Sequence, residues 1–210
     1  MLRQYKTVQG YGEEMIIIKK SRFIGYANRV ESEGEAQAFI ERIKKKHWDA
    51  THNCSAYQIG DHDEIQRSSD DGEPSGTAGK PILEVIRKQG LKNVVIVVTR
   101  YFGGIMLGAG GLIRAYGQTA VEGIKAATVV ERILHRIIKA QVDYTWVGKL
   151  ENEFIQKEIS IHHTDYLDVV TFHLLTPVGE EEKMMIWITN LTNGQAGFDT
   201  GELSYKETKI

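Results

Sequence analysis

One cysteine, Cys54, stands in 210 residues, so no disulfide can close within the chain, and that usage suits a reducing compartment. No basic start runs into an early apolar segment, and no apolar run approaches membrane-spanning length. Neither a secretory leader nor a spanning helix is therefore expected. An excess of positive charge is missing too: 26 Lys and Arg stand against 28 Asp and Glu, for a net charge of −2. That balance argues against coating nucleic acid non-specifically, and any such contact has to come from a local patch. Internal repeats, low-complexity segments and a glycine-rich linker are absent as well. What is present, 41% hydrophobic and 26% charged residues, is ordinary for a globular protein able to bury a core in one large or two small domains. A cytoplasmic protein with no membrane partner is expected.

Residues 4–30 read as two or three strands, with Met15 to Ile18 and Phe23 to Tyr26 flanking a turn at Lys19 to Arg22. Ser32 and Glu35 have the spacing of a capping box, and Ala36, Phe39, Ile40 and Ile43 give the following helix an apolar face. Cys54 to Ile59 reads as a strand, residues 60–79 as a long polar loop, and a helix is expected from near Pro81 to Gly90. A segment at Val129 to His135 closes this first part. From Arg136 onward the order is strand, helix, two strands, helix, strand, which is the βαββαβ unit of a ferredoxin-like domain. The division is expected at 1–135 and 136–210, in an α+β chain of two domains.

Two blocks carry the chemistry. In the first, Val94 to Val98 is a β-branched run that reads as a strand buried on both faces. Arg100, Tyr101 and Phe102 follow, then Gly103, Gly104, Gly108, Gly110 and Gly111, then helical spacing from Leu112 to Ile124. So many glycines between a strand and a helix imply backbone at positive φ or something lying against the main chain. The second block is Asp70, Asp71, Gly72, Glu73, Pro74, Ser75, Gly76, Thr77, Ala78, Gly79, Lys80 and Pro81. Its three carboxylates could hold a divalent cation, and the amides of Gly76 to Gly79 could hold an anion. It is not a Walker A loop, since Pro81 follows Lys80. The plainer alternative is a rigid surface loop with Asp and Ser capping its turns.

Arg100 and the glycine loop have the makings of a phosphate site, with Arg114 on the polar side of the next helix. The competing reading pairs Arg100 with Asp70, Asp71 or Glu73. Either way the two blocks are expected side by side at one end of the sheet. Cys54 shares a strand face with His52, yet a buried thiol is the commoner case, and His47 and His62 fit no zinc spacing. His162 and His163 are adjacent, so their rings are expected on opposite faces of a strand. Tyr101 and Phe102 are candidates to stack on bases or to fill the core.

The run Arg100-Tyr101-Phe102-Gly103-Gly104 with Leu107-Gly108 and Gly110-Gly111-Leu112, the block at residues 70–81, and the weaker His52 to Tyr57 and Ser21 to Phe23 appear here in an order that resembles the IMPACT family, whose bacterial members are the YigZ-like proteins. The resemblance implies an N-terminal two-layer α/β domain like the fourth domain of elongation factor G and a ferredoxin-like C-terminal domain. It supplies no catalytic residues and no cofactor. Eukaryotic members regulate translation during stress by competing with a kinase for its activator, through an additional N-terminal domain that this chain is expected to lack. The transferable expectation is a translation-linked binding protein. Its partner would be RNA, the ribosome or a protein of translation control, contacted through the two loops. Arg67, Lys80, Arg100, Tyr101, Arg114 and the loop glycines are the residues expected to carry the contact. The alternatives are a metal-dependent enzyme acting on a phosphorylated small molecule, with Asp70, Asp71 and Glu73 as ligands, and a pure protein-interaction module. The oligomeric state is left open.

Overall fold

A computed structural model describes residues 1–210 and resolves fifteen elements. In order they are β1 (Gln4–Val8), β2 (Gly12–Ile18), β3 (Ser21–Arg29), α1 (Glu33–Lys46), β4 (His52–Ile59), β5 (Ile65–Ser69), α2 (Gly79–Gln89), β6 (Val94–Tyr101) and α3 (Gly108–Ala126). There follow β7 (Val129–Val142), α4 (Tyr144–Gln156), β8 (Ile161–Tyr166), β9 (Val170–Pro177), α5 (Glu181–Leu191) and β10 (Gly197–Lys209). The chain divides into two compact units, with the main break between Glu131 and Arg132 inside β7. No helix is long and apolar enough to cross a membrane.

In the first unit the sheet order is β2-β3-β6-β4-β5. The pairs β2–β3, β3–β6, β6–β4 and β4–β5 are all antiparallel. β6 is central, and its residues Val94 to Arg100 are all buried. Alternation sends Val94, Ile96 and Val98 to a core with Phe23, Cys54, Ile82, Ile86, Leu112 and Tyr116, under α2 and α3. Val95 and Val97 point to the opposite core with Tyr26, Phe39, Ile43 and Tyr57, under α1. A strand flanked by cores on both sides has no polar face to show, which is why the sequence carries an unbroken β-branched run there. The caps behave as the sequence suggests. Ser32 accepts from the Glu35 amide at 3.2 Å, Glu35 accepts from the Glu31 amide at 2.8 Å, and α2 ends on Gly90 at φ 65°.

Because β4 lies between β5 and β6, β5 and β6 run in the same direction, and α2 returns the chain so that both strands end at the same edge of the sheet. The loop after β5 and the loop after β6 therefore emerge together. Three local expectations change. The polar stretch expected as one long loop contains β5, an edge strand. The segment at Val129 to His135 and the strand expected after it form the single strand β7. Gly110 and Gly111 belong to the first turn of α3 rather than to the loop.

In the second unit β7 pairs antiparallel with β9, and β9 with β8, while β10 pairs with β7. Ala140, Val142, Phe172 and Leu174 form one face of this sheet and close a core with Leu150 and Phe154 of α4 and Ile188 of α5. This is the βαββαβ order expected.

Candidate functional site

The loop at residues 70–81 is organised by its first residue. Asp70 Oδ1 accepts from the amides of Ala78 (3.0 Å) and Gly79 (2.8 Å), and Oδ2 accepts from Gly76 (2.8 Å). Ala78, at the N-cap of α2, has no side chain able to cap, so Asp70 supplies the anion that the helix terminus attracts. Partial burial pushes the Asp70 carboxyl up, and the amides of Gly76, Gly79 and Ala78 outweigh it, leaving the group below its ordinary range. The amides read in the sequence as open to an external anion are thus already occupied.

Glu73 and Arg100 join the two loops. Arg100 Nη1 donates to Glu73 Oε1 at 2.6 Å, and the Tyr116 hydroxyl donates to the same oxygen at 2.8 Å. Arg100 is 5% exposed and Glu73 8%. Arg100 Nη2 reaches Ser21 Oγ at 3.5 Å, its Nε has no partner, and its guanidinium carbon lies 5.4 Å from the ring centres of Phe23 and Phe102. The reading of Arg100 as a surface phosphate ligand is therefore corrected: its charge is directed inward to Glu73. Asp71 faces another way, accepting from the Asn53 amide at 2.7 Å and pairing with Lys44 Nζ at 3.2 Å. Its carbonyl accepts from His52 Nδ1 at 2.8 Å. Thr77 is buried and donates to the Pro74 carbonyl at 2.6 Å.

Each of the three carboxylates proposed as metal ligands is thus turned toward different protein partners. No three His, Cys, Asp or Glu groups are arranged to hold a metal ion. Cys54 is fully buried, donates to the Asp70 carbonyl at 3.0 Å, and burial pushes its thiol up, so it is not an available nucleophile.

The other expected cations do not form a strip. Tyr57 and Arg67 are register partners on β4 and β5, so Arg67 lies on the α1 side of the sheet, 3.8 Å from Glu33. Lys80 lies on the opposite side, beside a groove of about 400 Å³ between α2 and α3 that Val85, Lys88 and Ile113 also line, and Arg114 is exposed on α3. Among the glycines, Gly104 and Gly108 have positive φ. Gly103 is a close approach: a Cβ there would fall 2.0 Å from the Lys20 carbonyl carbon. Its amide donates to Ser21 Oγ at 3.1 Å. The loop is thereby pressed onto the β2–β3 turn. A cleft of about 210 Å³ lies beside it, lined by Glu73, Pro74, Arg100, Phe102, Met106 and the start of α3.

Tyr101 points to the α1 side and gathers a second set of residues. Its hydroxyl contacts His47 Nδ1 at 2.8 Å and donates to Asp49 Oδ1 at 3.0 Å, and Arg22 lies 4.2 Å over its ring. His47 Nε2 meets the Tyr26 hydroxyl at 2.5 Å, and burial holds the His47 imidazole below its usual range. Beyond these sits Trp48, 84% exposed, after Lys44, Lys45 and Lys46. This run carries no motif in the sequence, because lysines in a last helical turn are ordinary. The available signal was the tryptophan placed outside any apolar periodicity.

Comparison with known proteins follows the same residues. The Impact N-terminal domain model matches residues 19–124, which include both loops, and a domain of unknown function (DUF1949) matches residues 141–195. The YvyE protein of Bacillus subtilis (strain 168), an IMPACT family member, is 52% identical over 210 residues, covering 100% of this chain and 97% of that protein. The chain belongs to the IMPACT family. YigZ of Escherichia coli (strain K12), another IMPACT family member, is 34% identical over 179 residues, 84% of this chain and 88% of that one. A crystal structure of a hypothetical protein covers 96% of this chain and 99% of its own, at 29% identity and a TM-score of 0.61.

In the second unit of this IMPACT chain, one expectation about side-chain direction is overturned. The register of β8 against β9 shifts between Ile161 and His163. The bulge lets His162 and His163 line the same depression as His173, instead of facing apart. His163 and His173 both place Nε2 on Asp165, at 2.7 and 2.9 Å.

Proposed function

We propose that this IMPACT-family protein is a translation-associated regulatory protein that acts by binding, and that it contacts RNA or the ribosome at the end of the N-terminal sheet where its two signature loops emerge. The family supports the link to translation, since its eukaryotic members act there. The observation that carries the binding reading is the division of labour at this end. Inside, Asp70 holds amides, Glu73 holds Arg100 and Tyr116, and Cys54 is sealed. Outside, Lys19, Lys20, Lys45, Trp48, Phe102 and Met106 are exposed. Groups able to do chemistry are committed to structure, while groups able to meet an anionic, base-bearing surface face solvent. A metal-dependent enzyme would need Asp70, Asp71 and Glu73 to converge, and they do not. The reading places the protein in the cytoplasm, with no cofactor. Co-sedimentation with purified ribosomes at low and high salt tests it. Salt-sensitive pelleting is expected, and a protein left in the supernatant at low salt, together with no affinity for ribosomal RNA, defeats it.

A further inference from the structure

We propose that the surface formed by the β2–β3 turn, the segment after α1 and the segment after β6 is a stacking platform for single-stranded RNA, with Trp48 and Phe102 as base-facing rings and Lys19, Lys20, Arg22 and Lys45 as phosphate contacts. This rests on the RNA reading above and moves it off Arg100, Lys80 and Arg114 to Phe102 and Arg22 of the signature blocks and to Lys19, Lys20, Lys45 and Trp48, which no motif marked.

Hydrogen bonds and close packing bring these three segments together. Asp49, next to Trp48, accepts from Tyr101, and Tyr101 precedes Phe102. The Phe102 amide donates to Thr51 Oγ1 at 3.1 Å, and the Thr51 amide donates to the Arg100 carbonyl at 2.9 Å. Gly103 packs against the main chain of Lys20. Arg22 lies over Tyr101. Trp48 is 84% exposed and Phe102 48%. Large rings left this open are in search of a partner, and isolated exposure would be unremarkable only without the charge around them.

The charge settles which partner. Lys44 is paired with Asp71 and Lys46 with Glu13. Lys19, Lys20 and Lys45 are exposed and enter no ion pair, while Asp49 accepts from the Tyr101 hydroxyl. A chain with net charge −2 thus carries a group of unpaired lysines interleaved with open aromatic faces. Phosphates satisfy the lysines and unpaired bases satisfy the rings, whereas a duplex hides its base faces. The platform is also prepared in advance. Lys19 and Lys20 form a tight turn at φ 45° and 66°, and the amide of Gly103 fixes Ser21 behind it.

The test is equilibrium binding of the full chain to a short fluorescein-labelled single-stranded RNA of mixed sequence, across a salt series. Wild type is compared with Trp48→Ala, Trp48→Phe and the triple variant Lys19→Gln, Lys20→Gln, Lys45→Gln. All four should share one melting temperature, since none of the altered side chains is buried or ion-paired. Loss of one stacked base should weaken Trp48→Ala binding by about 5- to 150-fold, with Trp48→Phe recovering part of it. The triple variant should lower the slope of log affinity against log salt by about two units, roughly 0.7 for each phosphate released. The duplex form of the same RNA should compete poorly. If wild type binds RNA and these variants bind equally well, the platform is wrong while the RNA reading stands. Polyglutamate competing as well as single-stranded RNA also overturns the platform, making the patch a general cation surface. If wild type binds no RNA at low salt, both readings fall.

Discussion

Replacing Glu73 with Ala removes one carboxylate and disturbs two partners that cannot reach water. Arg100 would keep its charge at 5% exposure with only the distant Ser21 Oγ to meet it, and the Tyr116 hydroxyl would lose its acceptor. A stranded buried charge costs about 3–5 kcal/mol, and an orphaned buried hydroxyl adds about 1 kcal/mol or more. For a protein of this size each kcal/mol lowers the melting temperature by about 2–4 °C, so the variant should melt roughly 10–20 °C below wild type. The pair Glu73→Leu with Arg100→Met removes both charges at similar volume, and should recover most of the loss, because buried ion pairs replaced by apolar groups are often near neutral. Circular dichroism melts of wild type, Glu73→Leu, Arg100→Met and the double variant form a complete cycle, with Glu73→Ala measured beside it. A Glu73→Ala protein melting within about 2 °C of wild type would refute the account, and so would a double variant no better than the worse single one.

Two further outcomes follow from the same end of the sheet. Asp70 is held below its ordinary carboxyl range, so its contribution is present above the unfolded value of 3.8 and is lost as pH falls through the folded value. Asp70→Ala should accordingly cost about 1.5–3 kcal/mol near neutral pH and flatten the acid limb of a stability profile. An unchanged acid limb measured by urea unfolding contradicts this. Cys54 should react with a thiol reagent in native buffer only at the rate of global opening, and at once in denaturant. Rapid native labelling would show that the seal beneath Asp70 is not closed.

Much of the architecture was legible because local chemistry specified it. The Ser32–Glu35 cap and the stop at Gly90 rest on interactions within a few residues, and the two-sided burial of Val94 to Val98 shows in its unbroken β-branched run. The pairing of Arg100 with a carboxylate of the other loop was also accessible, since topology brings the two strand ends together and a central-strand cation needs an anion. What escaped depends on tertiary position. Asp70 clasps amides six to nine residues ahead, and nothing in the spacing says that a carboxylate rather than a ligand fills them. β5 was hidden because an edge strand reading Ile-Gln-Arg-Ser-Ser has only one residue of apolar character. The first half of β7 was not legible as strand because His135 and Arg136 interrupt its pattern. Adjacent histidines appeared to face apart because a strand without a bulge would make them do so. Trp48 lay outside every motif.

Loops that carry recognition usually belong to the least protected part of a molecule, opening far more often than the strands beneath them. Here the amides of Gly76, Ala78 and Gly79 close onto Asp70, the Asn53 amide onto Asp71, and those of Phe102 and Gly103 onto Thr51 and Ser21. Releasing any one of them requires parting segments that meet again at the Arg100–Glu73 contact. This end of the sheet should consequently exchange its hydrogens together with the central strand, as one cooperative unit. Whatever it binds would then meet a surface already shaped, and the affinity would lose little to the ordering of loops.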